Sequence, residues 1–128
     1  MTFYLFLLQL GITYLQVKEG EIMGKKFLGE FEELILLAIL KLSNDAYGVP
    51  IAETIEEFSG KRVSIGALYT SLSRLEEKGF IRSRIGESTD ERGGRAKKYY
   101  AVEGTGLEVL QEIETTRSAL VDLIPIKI

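Results

Sequence analysis

The sequence predicts a mainly α-helical chain with one small β-hairpin, and three observations carry that expectation. Three segments with helical apolar spacing follow one another between residues 27 and 79, separated by Asn44-Asp45 and Ser59-Gly60 and closed by Gly79. Two short strand-like segments, residues 80–86 and 96–102, flank the polar, glycine-containing run GESTDERGGR. A last amphipathic segment ends at Pro125. The order helix, helix, helix, hairpin, helix is that of a winged helix-turn-helix domain followed by a C-terminal helix.

Residues 3–17, FYLFLLQLGITYLQV, are strongly apolar but interrupted by Gln9, Gly11, Thr13 and Gln16. About 15 residues fall short of the ~20 that span a bilayer. No basic stretch precedes the run and no small-residue cleavage site follows it, so neither a membrane nor a secretory role is expected. Helix and strand both stay open for it. Val17 to Lys26 reads as a linker, and Met1–Ile22 is expected to lie outside the functional domain, which opens near Met23. Residues 1–26 are therefore taken as an extension and linker, 27–102 as the winged helix-turn-helix domain, and 103–128 as a dimerisation helix and tail.

The first helix is expected from Phe27 to Leu42. Leu34 to Leu40 is apolar all round, so it is covered on more than one side, by a partner subunit or by residues 3–17. The second runs from about Gly48 to Phe58, with Pro50 in its first turn, where a missing N–H costs nothing. Ile51, Ile55 and Phe58 form its core-facing stripe. The third starts at Ser64, a good N-cap, and stops at Gly79. Strands over Phe80–Gly86 and Ala96–Val102 make the hairpin, and the last helix spans about Gly104 to Ile124.

The chain of 128 residues contains no Cys and no His. Disulfides, thiolate nucleophiles, Ser–His pairs and the usual zinc ligands are thereby excluded. No paired carboxylates sit on an apolar scaffold, so no enzyme, metal or cofactor is expected. The missing cysteines fit a cytoplasmic protein. The net charge is −3, yet residues 61–100 hold ten Lys/Arg against five acids, and the rest six against fourteen. One basic region can bind phosphate while the acidic remainder stays in water.

Stepping about 100° per residue through the third helix gathers Ile65, Leu68, Leu72 and Leu75 into one core stripe. The opposite face collects Gly66, Ala67, Thr70, Ser73, Arg74 and Glu77, with Tyr69 at the edge. Small residues let a helix sit deep in a major groove about 12 Å wide. Ser64 and Thr70 can bond phosphates or base edges, Arg74 can do either with more energy, and the Tyr69 hydroxyl can meet a phosphate. On the hairpin, Arg92 and Arg95 flank a Gly pair, and Lys97 and Lys98 follow. Arginine at a loop tip suits phosphate or the minor groove. Alternation sends Arg95 and Lys97 one way and Ala96 and Lys98 the other, and splits Tyr99 from Tyr100 so that one packs.

Over roughly Phe27 to Leu120 the chain resembles the PadR-like transcriptional regulators. The resemblance rests on Tyr47-Gly48, on Ser64-Ile65-Gly66-Ala67-Leu68-Tyr69, on Leu72 and Leu75, on Glu76-Glu77-Lys78-Gly79, and on Gly94-Arg95 leading to Lys98-Tyr99-Tyr100. It implies a homodimer on a palindromic, double-stranded DNA site, usually acting as a repressor. Carried over by position, the DNA contacts are Ser64, Gly66, Tyr69, Thr70, Ser73 and Arg74, with Arg95 and Lys97 on the wing. It also implies that the last helix packs on the partner's first helix, placing Leu36 and Ile39 in the dimer interface. Many members release DNA on meeting a small molecule, but no residue here identifies an effector. The chain has no Trp for an indole-stacked ligand, and Glu103-Gly104 stands where the family often has a Thr N-cap.

Read without the family, Val109, Leu110, Ile113, Leu120, Val121 and Ile124 cluster on one side of the last helix, with Arg117 inside that stripe. Arg117 is expected to snorkel or to pair with an acid such as Glu33 of a partner. Leu110, Ile113, Arg117, Leu120 and Ile124 thus join the expected dimer contact. The alternative reading is a winged-helix protein-interaction module without DNA binding.

Overall fold

The computed structural model describes residues 28–87 and 96–128. The apolar run 3–17, the linker before residue 27, and the wing-tip residues Arg92, Gly93, Gly94 and Arg95 lie outside the described residues.

Helix α1 spans Glu30–Leu42. The Glu32 carboxylate accepts the Gly29 N–H at 3.2 Å, and three glutamates in the first turn oppose the positive end of the helix dipole. Ile35, Leu36, Ala38 and Ile39 are buried, whereas Leu37 and Leu40 face outward at 50 % and 45 % exposure. This corrects one expectation. Leu36 and Ile39 are sealed in the core of their own chain, because the 100° step turns them inward, and Leu37 and Leu40 face outward in their place.

After a short 3-10 turn at Ser43–Asp45, α2 spans Gly48–Ser59. Ile51, Ala52 and Ile55 are buried, but Phe58 is 69 % exposed and is no part of the core; it lines an open groove beside α1, with Lys41 Nζ 5.5 Å from its ring centre. Gly60 ends α2 at φ 71°, a left-handed conformation that suits glycine. The Glu56 carboxylate then accepts the Val63 N–H at 2.7 Å and fixes the turn into the next helix.

Helix α3 spans Ile65–Glu77, and the Ser64 hydroxyl caps it by accepting the Ala67 N–H at 3.3 Å. Leu68, Leu72 and Leu75 are fully buried. Ile65 departs from the expected stripe: at the first helical position it is 51 % exposed. Gly79 at φ 80° closes α3, with the Phe80 N–H donating to the Leu75 carbonyl at 3.0 Å.

Strand β1 (Ile81–Ile85) pairs antiparallel with β2 (Lys98–Val102), Ile81 opposite Val102 and Ile85 opposite Lys98. The hairpin is also stitched to the segment before α2. Tyr47 bridges Tyr99, and the Tyr100 N–H donates to the Ala46 carbonyl at 2.8 Å. Tyr100 packs in the core and Tyr99 is half-buried, the split that strand alternation predicts.

Helix α4 spans Gly104–Asp122. Glu103 stands at its N-cap without a side-chain cap, and its carboxylate instead accepts from Arg82 at 3.2 Å. The Thr105 hydroxyl anchors the first turn by donating to the Gly79 carbonyl. Gly106 is buried so closely that a Cβ there would run into the Phe80 carbonyl oxygen and lie 2.9 Å from Val102 Cγ1. Gly106→Ala is therefore expected to destabilise the fold by about 1–3 kcal/mol despite alanine's better helix propensity, because backbone cannot step aside. Urea denaturation reads this directly, and an unchanged midpoint would contradict the close packing.

Val109 and Leu110 complete the core, and Ile113 packs at its edge, so Leu110, expected in the dimer contact, is instead buried in its own chain because its face of the helix turns inward. From Glu114 to the end every residue is exposed. Arg117 corrects another expectation: within one chain its guanidinium donates to Glu33 at 3.1 and 3.2 Å, so no partner acid is needed.

Candidate nucleic-acid interface

The outward face of α3 carries Ser64, Gly66, Tyr69, Thr70, Ser73 and Arg74, all exposed. The core stripe on one side of the helix dictates this, since it leaves the small and polar residues to solvent. Ser64 uses its oxygen on the cap, which leaves its hydrogen to donate to an incoming acceptor. Gly66 meets only Ser64 Oγ, at 3.8 Å, if a Cβ is added, so nothing in the fold demands glycine there. Its missing side chain instead lets another molecule come close to the helix.

Thr70 donates its hydroxyl to the Gly66 carbonyl at 2.9 Å. In that state it offers only an acceptor, which suits a base amino group better than a phosphate. The side chains of Ser73 and Arg74 have no hydrogen-bond or ion-pair partner among the described residues. Tyr69 is 45 % exposed, and its hydroxyl rests directly over Gly48, where a Cβ would clash. The first residue of α2 is thus the seat of the edge residue of α3.

The same corner holds the base of the wing. Lys97 Nζ sits 4.3 Å above the centre of the Tyr47 ring, and Arg84 Cζ lies 4.6 Å from that of Tyr99. The sequence reading missed Tyr47 and Arg84 as site residues. Tyr47-Gly48 was visible as a marker, but only the fold brings it against a strand some 50 positions away.

The basic surplus of residues 61–100 is partly consumed by the fold. Lys78, Arg82 and Lys98 pair with Glu32, Glu103 and Glu76 at 3.1, 3.2 and 3.7 Å. Lys61, Arg62 and Arg74 have no acid partner among the described residues. Burial, then the neighbouring Tyr69 and Glu76, push the Tyr100 hydroxyl above its ordinary pKa, so it stays uncharged beneath this surface. Among the described residues no cluster of His, Cys, Asp or Glu is placed to hold a metal, and no helix is long and apolar enough to cross a membrane.

The model of the transcriptional regulator PadR-like family matches residues 36–114, from the middle of α1 into α4. Several solved structures are similar. A PadR family transcriptional regulator from Eggerthella lenta is 28 % identical, over 73 % of this chain and 80 % of that one, with a TM-score of 0.57. A PadR-like transcription factor from Bacteroides fragilis is 29 % identical, over 80 % and 92 %, with a TM-score of 0.60. A PadR-like transcriptional regulator from Bacillus cereus is 26 % identical, over 70 % and 82 %, with a TM-score of 0.58. Among curated proteins none matches. With the matched span covering well over half of the sequence, and taking in the capped third helix, the hairpin and the start of α4, the chain belongs to the PadR-like family of transcriptional regulators.

Proposed function

We propose that the protein is a homodimeric, cytoplasmic repressor that sets α3 of each subunit into successive major grooves of a palindromic operator. The observation that carries this reading is the outward face of α3: six exposed residues, among them an arginine without an acid partner and a glycine that its own fold does not require. Ser64, Gly66, Tyr69, Thr70, Ser73 and Arg74 meet the groove and its rims. Lys97, with Arg92 and Arg95 of the wing tip, meets the flanking backbone. Residues 27–102 then form the DNA-binding domain and residues 103–128 the dimerisation helix and tail, with residues 1–26 outside both.

Dimerisation is supported by an apolar groove of about 890 Å³ between α1 and α2. Phe31, Leu34, Leu37 and Phe58 line it, and Lys41, Lys61 and Arg62 stand along it. The exposed half of α4 and the residues just after it have the complementary character: Leu120, Val121 and Ile124 beside Glu112, Glu114 and Asp122. The α4 of a second copy is the occupant we assign to this groove, with Leu110, Ile113 and Arg117 steadying α4 on its own α1. The contact pairs an apolar centre with a charged rim, as protein interfaces do.

Selection of bound fragments from random duplex DNA tests the reading. A two-fold-symmetric site with half-sites about 34 Å apart, one helical turn, is the expected product. Arg74→Ala should then cost about 1–3 kcal/mol on the selected duplex and relax the preference at one position of each half-site. A DNA probe whose mobility the protein does not change at low salt would assign the surface to a protein partner instead.

A further inference from the structure

We propose that Tyr47 is a positioning residue that holds the wing-base cation Lys97 at the DNA surface and locks the wing to α3. The proposal rests on the DNA-binding reading above. Four side chains follow one another in contact, two rings between two cations: the Lys97 ammonium 4.3 Å from the Tyr47 ring centre, the Tyr47 ring 5.5 Å from that of Tyr99 and tilted by 65°, and the Arg84 guanidinium 4.6 Å from the Tyr99 ring.

The manner of holding matters. Lys78, Arg82 and Lys98 are held by glutamates, which cancel their charge, and they must give up a carboxylate before they can serve a phosphate. A cation resting on an aromatic face is positioned by the ring quadrupole and keeps its full charge. Lys97 and Arg84 are therefore ordered and still electropositive, the combination a phosphate contact needs.

The backbone fixes these contacts in place. Tyr47 bridges Tyr99, the Tyr100 N–H donates to the Ala46 carbonyl at 2.8 Å, and the Gly86 N–H donates to the Lys97 carbonyl at 2.8 Å. At Gly86 a Cβ would lie 2.5 Å from Tyr99 Cε2, so the absence of a side chain there makes room for the ring. On its other side Tyr47 adjoins Gly48, the seat of the Tyr69 hydroxyl. One dipeptide thus touches both the edge of α3 and the root of the wing, and it sets the spacing at which a groove contact and a backbone contact can form together.

The test uses the full chain and a duplex carrying the site recovered by fragment selection. Tyr47→Leu removes the ring face, and Tyr47→Phe keeps it. Tyr47→Leu is expected to weaken binding about tenfold and to flatten the salt dependence by roughly one phosphate contact per subunit. Tyr47→Phe should keep the salt slope of the wild type, since the ring face that holds Lys97 is retained. Lys97→Gln should reproduce the Tyr47→Leu change, and the double variant should be no weaker than either alone, since both remove one contact. This arm holds even if Tyr47→Leu folds poorly, because Lys97→Gln does not touch the hairpin backbone. Wild-type binding with an unaltered salt slope in Tyr47→Leu, or in Lys97→Gln, overturns the proposal, as does an equally flattened slope in Tyr47→Phe. A wild type that leaves the duplex unbound overturns the DNA-binding reading itself, and the role of Tyr47 falls with it.

Discussion

Raising monovalent salt from about 50 mM to 200 mM is expected to weaken DNA binding on the order of 10³-fold, the loss typical of six or more neutralised phosphates. The described residues offer Arg74 without an acid partner, and Lys97 and Arg84 on tyrosine rings, whereas Lys61 and Arg62 stand along the groove assigned to the second copy. Doubled in a dimer, with Arg92 and Arg95 of the wing tip added, these are enough for a steep slope. Each phosphate contact contributes about 0.9 to the slope of log affinity against log salt on duplex DNA. Arg95→Ala should lower affinity for every sequence and flatten the slope. A shallow slope of about 2 or less would mean that the free cations do not lie along the phosphates, and the interaction-module reading would then stand.

The glutamate-paired cations sharpen this expectation. Exposed ion pairs contribute little to stability, so Lys78, Arg82 and Lys98 are not locked. They do, however, present carboxylates alongside their charges and offer less to a polyanion than the sequence count suggests. Binding strength should follow the unpaired and ring-held cations rather than the ten Lys/Arg of residues 61–100. Reading charge from the chain alone overstates the basic surface for this reason.

How far the sequence disclosed the fold depends on the range of the interaction involved. Helix ends were legible because Ser64, Gly60 and Gly79 act within one turn of their own position. The stripe Leu68, Leu72 and Leu75 was legible because its spacing is local. Phe58 and Ile65, at the last turn of α2 and the first of α3, share the right spacing yet stand exposed, since periodicity does not say whether a neighbour covers a helix end. Leu36 and Ile39 were assigned to the wrong contact because a helix that is apolar all round leaves its inward side unmarked. The pairs Lys78–Glu32 and Arg117–Glu33 join residues 46 and 84 positions apart, and no local pattern announces them. The same holds for Tyr47 and Lys97, whose meeting is a product of the hairpin folding back over the start of α2.

Leu120→Asp is expected to break the dimer while leaving the subunit folded. In a single chain Leu120 is 60 % exposed and takes no part in the core, so the change costs little intramolecular packing. In the proposed dimer it lies in the groove of the other subunit, twice by symmetry. Losing a buried leucine is worth about 1.5–3 kcal/mol, and two copies raise the dimer dissociation constant on the order of 10²–10⁴-fold. DNA affinity should fall with it, since linked half-site contacts gain on the order of 10²–10⁴-fold over separate ones. Leu37→Asp, on the groove side and 50 % exposed, should do the same from the opposite face. Leu36→Asp supplies the contrast: that side chain is fully buried in its own subunit, and a carboxylate there should unfold the chain rather than merely separate two copies. Sedimentation distinguishes the outcomes. Folded monomers for Leu120→Asp and Leu37→Asp place the contact on the outer side of α1. A monomer–dimer ratio unchanged by both would remove α4 from the interface.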